Sequence, residues 1–388
     1  MKKRLLSVLL SATMIAAVLA GCGSTGGSSS QDTTTPAEET PADDEAADTA
    51  TGDDANAGTD ANAGTETTPA DGAGAATGDA ATGVEGLDIG VCIYNFADNF
   101  MTLYRTELER YLTAGGASVT ITDGKNDQAE QTNQIQNFIT EGVDVLIVNL
   151  VQSSAAEQIT DQCAAANIPV VFINREPDDA EKERWTTEGI KATYVGADAR
   201  QSGTFQGEIL LSTANKGDIN GDGKVSYVMV QGDPENVDAQ CRTEFSIKAL
   251  TDGGMTVEEV DKQRGDWDQA RGQEIVANAL TNHGEAVEVV FCNNDAMALG
   301  ALQAIEAAGR VVGEDIYLLG VDALTEALQN VIDGKMTGTV FNDHFGQSHA
   351  AAQAAADFAA GKDLETLIGV DYIKVTQENA QEILDLVQ

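Results

Sequence analysis

The 388-residue chain reads as an α/β protein with two doubly wound, parallel-sheet domains. Two observations predict this. Continuous apolar runs such as "VDVLIVNLV" (143–151) and "IPVVFINR" (168–175) fit strands buried on both faces. Each run is followed by a stretch of helical periodicity, and the alternation proceeds as two consecutive series of strand–helix units. The folded composition starts near residue 87, which leaves about 300 residues, enough for two domains.

The first series opens with "IGVCIY" (89–94). An amphipathic run follows, with Phe100, Leu103, Tyr104, Leu108, Tyr111 and Leu112 on one face. "SVTITDG" (118–124) precedes a polar helix that carries Ile135, Phe138 and Ile139. The two apolar runs already quoted complete this half. A second series begins near Tyr194 with "VSYVMVQGD" (225–233), "MTVEEVDK" (255–262), "VEVVFCNND" (287–295), "IYLLGVDA" (316–323) and "TGTVFND" (337–343).

The N-terminal part is of another kind. Lys2, Lys3 and Arg4 precede an apolar run from Leu5 to Leu19, short for a membrane span of ~20 residues and suited to a signal peptide over 1–21. The run ends in Leu19-Ala20-Gly21-Cys22, which resembles a bacterial lipoprotein box and implies acylation of Cys22. Residues 23–84 contain no aromatic residue, Lys or Arg. Such a segment cannot bury enough apolar surface to offset its ordering entropy, so 22–84 is expected to be an acidic, disordered, lipid-anchored tether. About 60 flexible residues reach on the order of 40 Å. The formal charge of −41 argues against nucleic acid and anionic lipid surfaces as partners.

Cys92, Cys163, Cys241 and Cys292 form no C-x-x-C motif, and the chain has three His. Zinc and Cys–His nucleophile readings are therefore poor. Cys92 and Cys292 sit in apolar runs, where a free thiol acts as a small hydrophobe; pairing in an exported protein stays open.

In open α/β sheets, ligands bind beyond the carboxyl ends of the strands. Here those positions carry Asp98, Asn149, Asp238, Asn294 with Asp295, Asp322 and Asn342. An ionised carboxylate accepts from two hydroxyls and an Asn amide both donates and accepts, an inventory for a neutral polyol. Phe100 and Trp267 add apolar faces able to cover a ring. The competing reading is that these residues cap the helices that follow.

One further stretch, "DINGDGKVS" (218–226), has the rhythm of a calcium loop, with oxygen side chains at Asp218, Asn220 and Asp222, then Gly223, Lys224 and Ser226. Its twelfth position is Met229, which a hard cation does not want. The flank reads as a strand.

"IYNFADNFM", "GVDVLIVNLVQSSAA", "QGDPENVDAQCR", "VVFCNNDAMALGA", "GVDALTEAL" and "GTVFND" together resemble the galactose/glucose-binding proteins, periplasmic-type sugar receptors of ABC importers, in order over 87–388. The resemblance implies a bilobed type I periplasmic-binding fold joined by three hinge crossings. One lobe would span 85–194 plus 341–371 and the other 195–340 plus 372–388. It also implies a monosaccharide in the cleft, hydrogen-bonded by Asp98, Asn149, Asp238, Arg242, Asn294, Asp322 and Asn342 and sandwiched by Phe100 and Trp267. Where the family has a His, this chain has Asn236, which donates from a shorter side chain, so the preferred sugar stays open. The family's calcium site has a last carboxylate from a distant strand, here Glu288, joining Asp218, Asn220, Asp222, Lys224 and Ser226 around structural Ca²⁺.

The function expected from this resemblance is capture of a glucose- or galactose-like sugar and delivery to an ABC permease, by a monomer held at the membrane through Cys22. A sugar sensor that signals to a membrane receptor is the alternative. A glycoside hydrolase using two of Asp98, Asp238 and Asp322 would need one protonated and one ionised carboxyl, and nothing in the sequence marks such a pair. A repressor sharing the fold would need a DNA-binding helix-turn-helix, and here a signal peptide and an acidic tether stand in that place.

Overall fold

The structure is a computed structural model, and it describes residues 79–388. The expected signal peptide, Cys22 and nearly all of the tether lie outside the described residues. The first series is β1 (Asp88–Ile93), α1 (Asn99–Ala114), β2 (Ser118–Asp123), α2 (Gln128–Glu141), β3 (Val145–Val148), α3 (Ala156–Ala166), β4 (Val170–Ile173), α4 (Asp179–Glu188) and β5 (Ala192–Gly196). The second is α5 (Ala199–Leu211), β6 (Lys224–Gln231), α6 (Val237–Asp252), β7 (Thr256–Arg264), α7 (Gln269–His283), β8 (Val289–Cys292), α8 (Asp295–Ala307), β9 (Tyr317–Leu319), α9 (Thr325–Ile332) and β10 (Thr339–Phe341). The chain closes with α10 (His344–Ala359), β11 (Leu367–Gly369), β12 (Ile373–Val375) and α11 (Ala380–Val387).

One parallel sheet runs β2-β1-β3-β4-β5-β11 and a second β7-β6-β8-β9. The first sheet extends past Tyr194, where the second series was expected to begin, because Val195 pairs with Ile173 and Gly196 with Gly369. "TGTVFND" runs parallel to the end of the second sheet, as expected, through bridges at Leu319–Gly338 and Asp322–Phe341, and β10 also pairs antiparallel with β12. The chain passes between the sheets three times: after β5, between β10 and α10, and between β11 and β12.

Helices cover both faces of each sheet, so each sheet separates two cores, as continuous apolar strands require. Val91, Ile147 and Val171 pack toward α1 and α10, whereas Cys92, Leu146 and Val170 pack toward α2 and α3. In the second sheet Val228, Val290 and Leu318 face α7 and α8, and Tyr227, Met229 and Phe291 face the α5 side. β7 is an edge strand rich in charged, mostly exposed side chains, which discourages pairing with another chain.

The helix starts are set by short polar side chains. Asp98, Asp127, Asp198, Asn236, Asp268, Asn294 and Asp343 each accept a backbone N–H from the first turn of α1, α2, α5, α6, α7, α8 and α10. Because these helices begin beyond the carboxyl ends of strands, the caps gather near one rim of each sheet.

Candidate functional site

At that rim lies a pocket with about 350 Å³ of space not filled by protein atoms, bounded by residues following strands of both sheets. From the first sheet come Tyr94, Asp98, Phe100, Met101, Asn174 and Arg175; from the second come Asn236, Asp238, Arg242, Trp267, Asn294 and Asp322; Asn342 follows β10.

Capping and pocket-lining turn out to be compatible. Asp98 uses Oδ1 to cap Met101 N at 2.7 Å, while its Oδ2 accepts from the Tyr94 hydroxyl at 2.6 Å. Asn294 caps Met297 N through Oδ1 at 3.0 Å and directs Nδ2 to Trp267 O at 3.4 Å. Asn236 caps Ala239 N at 3.2 Å. Each cap uses one of the side chain's two polar atoms; the other keeps spare capacity at the pocket, a further lone pair on Asp98 Oδ2, a second N–H on Asn294 Nδ2 and both N–H groups of Asn236.

Arg242 is the electrostatic centre. It is buried; Nη1 donates to Asn293 O at 2.8 Å, and Nη2 to the Tyr372 hydroxyl at 3.0 Å and to Asp238 Oδ2 at 3.5 Å. Asp322 Oδ1 stands 4.0 Å from Nη1. Burial works against its charge, but Tyr372, Asp238 and Asp322 outweigh burial and hold the guanidinium above its ordinary range. The two carboxylates feel the opposite bias. Burial pushes Asp238 up to about 6 and Asp322 well above the usual carboxylate range, with Arg242 opposing in both cases. Two carboxylates share one cation, so hydroxyl donors from a ligand would complete their solvation.

Asp322 is held in a strained backbone, φ 118°, with Ala323 at φ 56°. Asn342 Nδ2 donates to Asp322 Oδ1 at 3.2 Å, and Gln347 Nε2 donates to Asn342 Oδ1 at 2.6 Å. This chain of bonds links the second sheet to α10. The Trp267 ring lies against Gly232, where an added Cβ would fall 2.3 Å from the indole, so any larger residue at 232 would displace the ring. Phe100 is buried edge-on to Tyr104 and His344.

The structure brings together Asp98, Phe100, Asn236, Asp238, Arg242, Trp267, Asn294, Asp322 and Asn342. Asn149 stands apart from this lining. It is fully buried behind the pocket: Nδ2 donates to Ile173 O at 3.2 Å and to Asn174 Oδ1 at 3.0 Å, and Oδ1 accepts from Tyr94 N at 3.3 Å. It supports Asn174, which lines the pocket in its place. Asn174 and Arg175 follow "VVFI", the same strand-end position that marked the others, and so were open to sequence reasoning. Tyr94 lies at the end of its own apolar run and carried no such signal.

The 218–226 loop forms a separate cluster. Asp218 accepts from Gly221 N at 2.8 Å and Asp222 N at 3.1 Å through Oδ1, and from Gly223 N at 3.0 Å through Oδ2. Glu288, buried on the neighbouring chain segment, does reach this loop: Oε1 accepts from Ile219 N at 2.7 Å and Asn220 N at 2.9 Å, and Oε2 from Ser226 N at 3.0 Å. Gly223 takes φ 90°, the sharp turn a calcium loop makes at its sixth position. Among the described residues no three His, Cys, Asp or Glu side chains converge as a metal cage. The four described cysteines are buried free thiols.

Residues 89–363 match the family model described as a periplasmic binding protein domain. Over 310 residues the chain is 36% identical to the D-galactose/methyl-galactoside binding periplasmic protein of Haemophilus influenzae, covering 76% of this chain and 91% of that protein. It is 34% identical to a putative rhizopine-binding protein of Rhizobium meliloti, covering 78% and 94%. Among solved structures it resembles an ABC transporter solute binding protein from Bacillus halodurans with bound myo-inositol, at 29% identity and TM-score 0.68, covering 78% of this chain and 98% of that one.

Proposed function

The chain belongs to the periplasmic binding protein family, and on that premise we propose that it is the extracytoplasmic sugar-binding protein of an ABC importer, taking a glucose- or galactose-like monosaccharide between its two sheets. Capture without chemistry is the mechanism. The observation that carries this reading is the single pocket uniting Asp98, Asp238, Arg242, Asn294, Asp322 and Asn342 with the aromatic faces of Phe100 and Trp267. Carboxylates accept from ring hydroxyls, Arg242 and the Asn amides donate, and the aromatic rings cover the apolar faces of the sugar. Because strands of both sheets contribute, a bound sugar bridges the halves and favours a closed arrangement, the form a permease would read. Calorimetric titration with a panel of aldohexoses and aldopentoses tests it; no heat with any of them removes it.

Calcium belongs to the same proposal as a structural ion. The residue types support it: Asp218, Asn220, Asp222 and the Lys224 carbonyl are hard oxygen donors, Ser226 stands at the position often bridged by water, and Glu288 is held by backbone N–H groups of both ends of the loop. When bound, the ion would tie the loop to β6 and the segment before β8. A lipid on Cys22, followed by the tether, would keep the receptor near its permease; stable anchoring takes two acyl signals.

A further inference from the structure

We propose that the cleft accepts a neutral, extended sugar, a disaccharide or larger glycoside, with its second ring in a cavity adjoining the first pocket; this rests on the sugar-binding reading above. The second cavity has about 890 Å³ of space not filled by protein atoms, including solvent at its mouth, against about 350 Å³ for the first. The two share Arg175 and Asn236 as lining, so a ligand in one meets the other at those side chains.

Both shared residues are buried and carry donors in excess of their protein partners. Arg175 is 4% exposed. It has five N–H donors, and its Nη1 donates to Val151 O at 2.7 Å while Cζ stacks 3.6 Å from the Tyr94 ring centre. Asn236 accepts from Ala239 N, and its amide NH₂ donates to none of the described residues. A buried guanidinium and a buried amide with spare donors, placed where two cavities meet, match the acceptor oxygens of a glycosidic linkage and its neighbouring hydroxyls.

The walls come from opposite halves of the molecule. Gln152, Ser153 and Ser154 follow β3, and Gln240 lies on α6, so these neutral polar groups face a second ring from both sides. Asp178, Asp233 and Glu235 also line the cavity, and among its described lining residues Arg175 is the only cation. That excess of carboxylates disfavours a uronate or phosphate substituent, and the uncharged Gln152, Ser153, Ser154 and Gln240 suit the hydroxyls of a neutral glycoside.

The test is calorimetric titration of the full chain with galactose and glucose, then with neutral disaccharides that contain either ring in different linkages. At least one disaccharide should bind within about tenfold of its parent hexose. Ser154 is exposed, so Ser154→Trp should fill the second cavity without disturbing a core. It should weaken that disaccharide by about tenfold or more and the hexose by less than about threefold. Hexose binding with every disaccharide at least about a hundredfold weaker would overturn the proposal while the sugar reading stands. Binding of neither hexose nor disaccharide would overturn the sugar reading, and this proposal with it.

Discussion

Thr339 donates its hydroxyl to Asp295 Oδ1 at 2.7 Å, a buried bond that joins the first turn of α8 to the strand leading out of the second half. Asp295 Oδ2 accepts from Leu324 N at 2.9 Å, just after the left-handed backbone of Asp322 and Ala323. One buried carboxylate thus clamps the segment that presents Asp322 to Arg242. In Asp295→Ala both bonds are lost and the buried Leu324 N loses this acceptor, which costs about 1–3 kcal/mol where no partner replaces it. The variant should melt lower and bind sugar roughly tenfold more weakly. Unchanged calorimetric affinity would show that the strained segment holds itself.

Trp267→Ala should remove a face whose burial is worth about 1.5–3 kcal/mol. Sugar affinity should fall roughly tenfold to a hundredfold by titration, with the melting temperature of the sugar-free protein nearly unchanged. Equal affinity would place the indole outside the ligand's reach despite its position at the pocket.

Acid should weaken sugar binding. Hydroxyl donors favour ionised carboxylates, and burial has pushed Asp238 up to about 6 and Asp322 well above the usual carboxylate range. Affinity should therefore decline as pH falls from 7 to 5. For stability the sign reverses. Because the folded Asp238 binds its proton more tightly than the unfolded one, its contribution is greatest below the ordinary carboxylate range and is lost as pH rises through about 6. Sugar-free wild type should gain stability relative to Asp238→Asn between pH 7 and pH 5, measured by denaturant unfolding at both. A difference independent of pH would mean that the carboxylate titrates normally.

Glu288→Gln should act in two ways. Three backbone N–H groups converge on this carboxylate, and an amide nitrogen would oppose at least one of them. The variant should therefore melt below wild type even in chelator. If calcium binds, wild type gains about 2.7 kcal/mol at a hundred times the dissociation constant, and the variant should lose most of that gain. Identical wild-type melting curves in calcium and in chelator would leave the loop as an Asx/Gly turn stapled by Glu288.

Cys22→Ala should move the protein from the membrane fraction to a soluble extracytoplasmic fraction. A variant that still sediments with membranes and carries no lipid would place the anchor elsewhere.

Period and composition alone determined much of this protein. Apolar runs buried on both faces, alternating with amphipathic stretches, point to parallel sheets covered by helices, because helices on both faces bury such strands completely. The short polar residues after those runs marked the binding rim, since both helix starts and ligands belong beyond strand ends. What local pattern cannot carry is direction. Asn149 and Asn174 occupy equivalent positions after β3 and β4, yet one is buried behind the pocket supporting the other, which faces it. Only the packing of β1 beside β3, which sets Tyr94 N over the Asn149 side-chain Oδ1, decided between them. Likewise Tyr372 lies 130 residues from Arg242 in sequence and 3.0 Å from it in space. The third crossing of the chain makes that contact, and a contact between distant segments leaves no periodicity in either one.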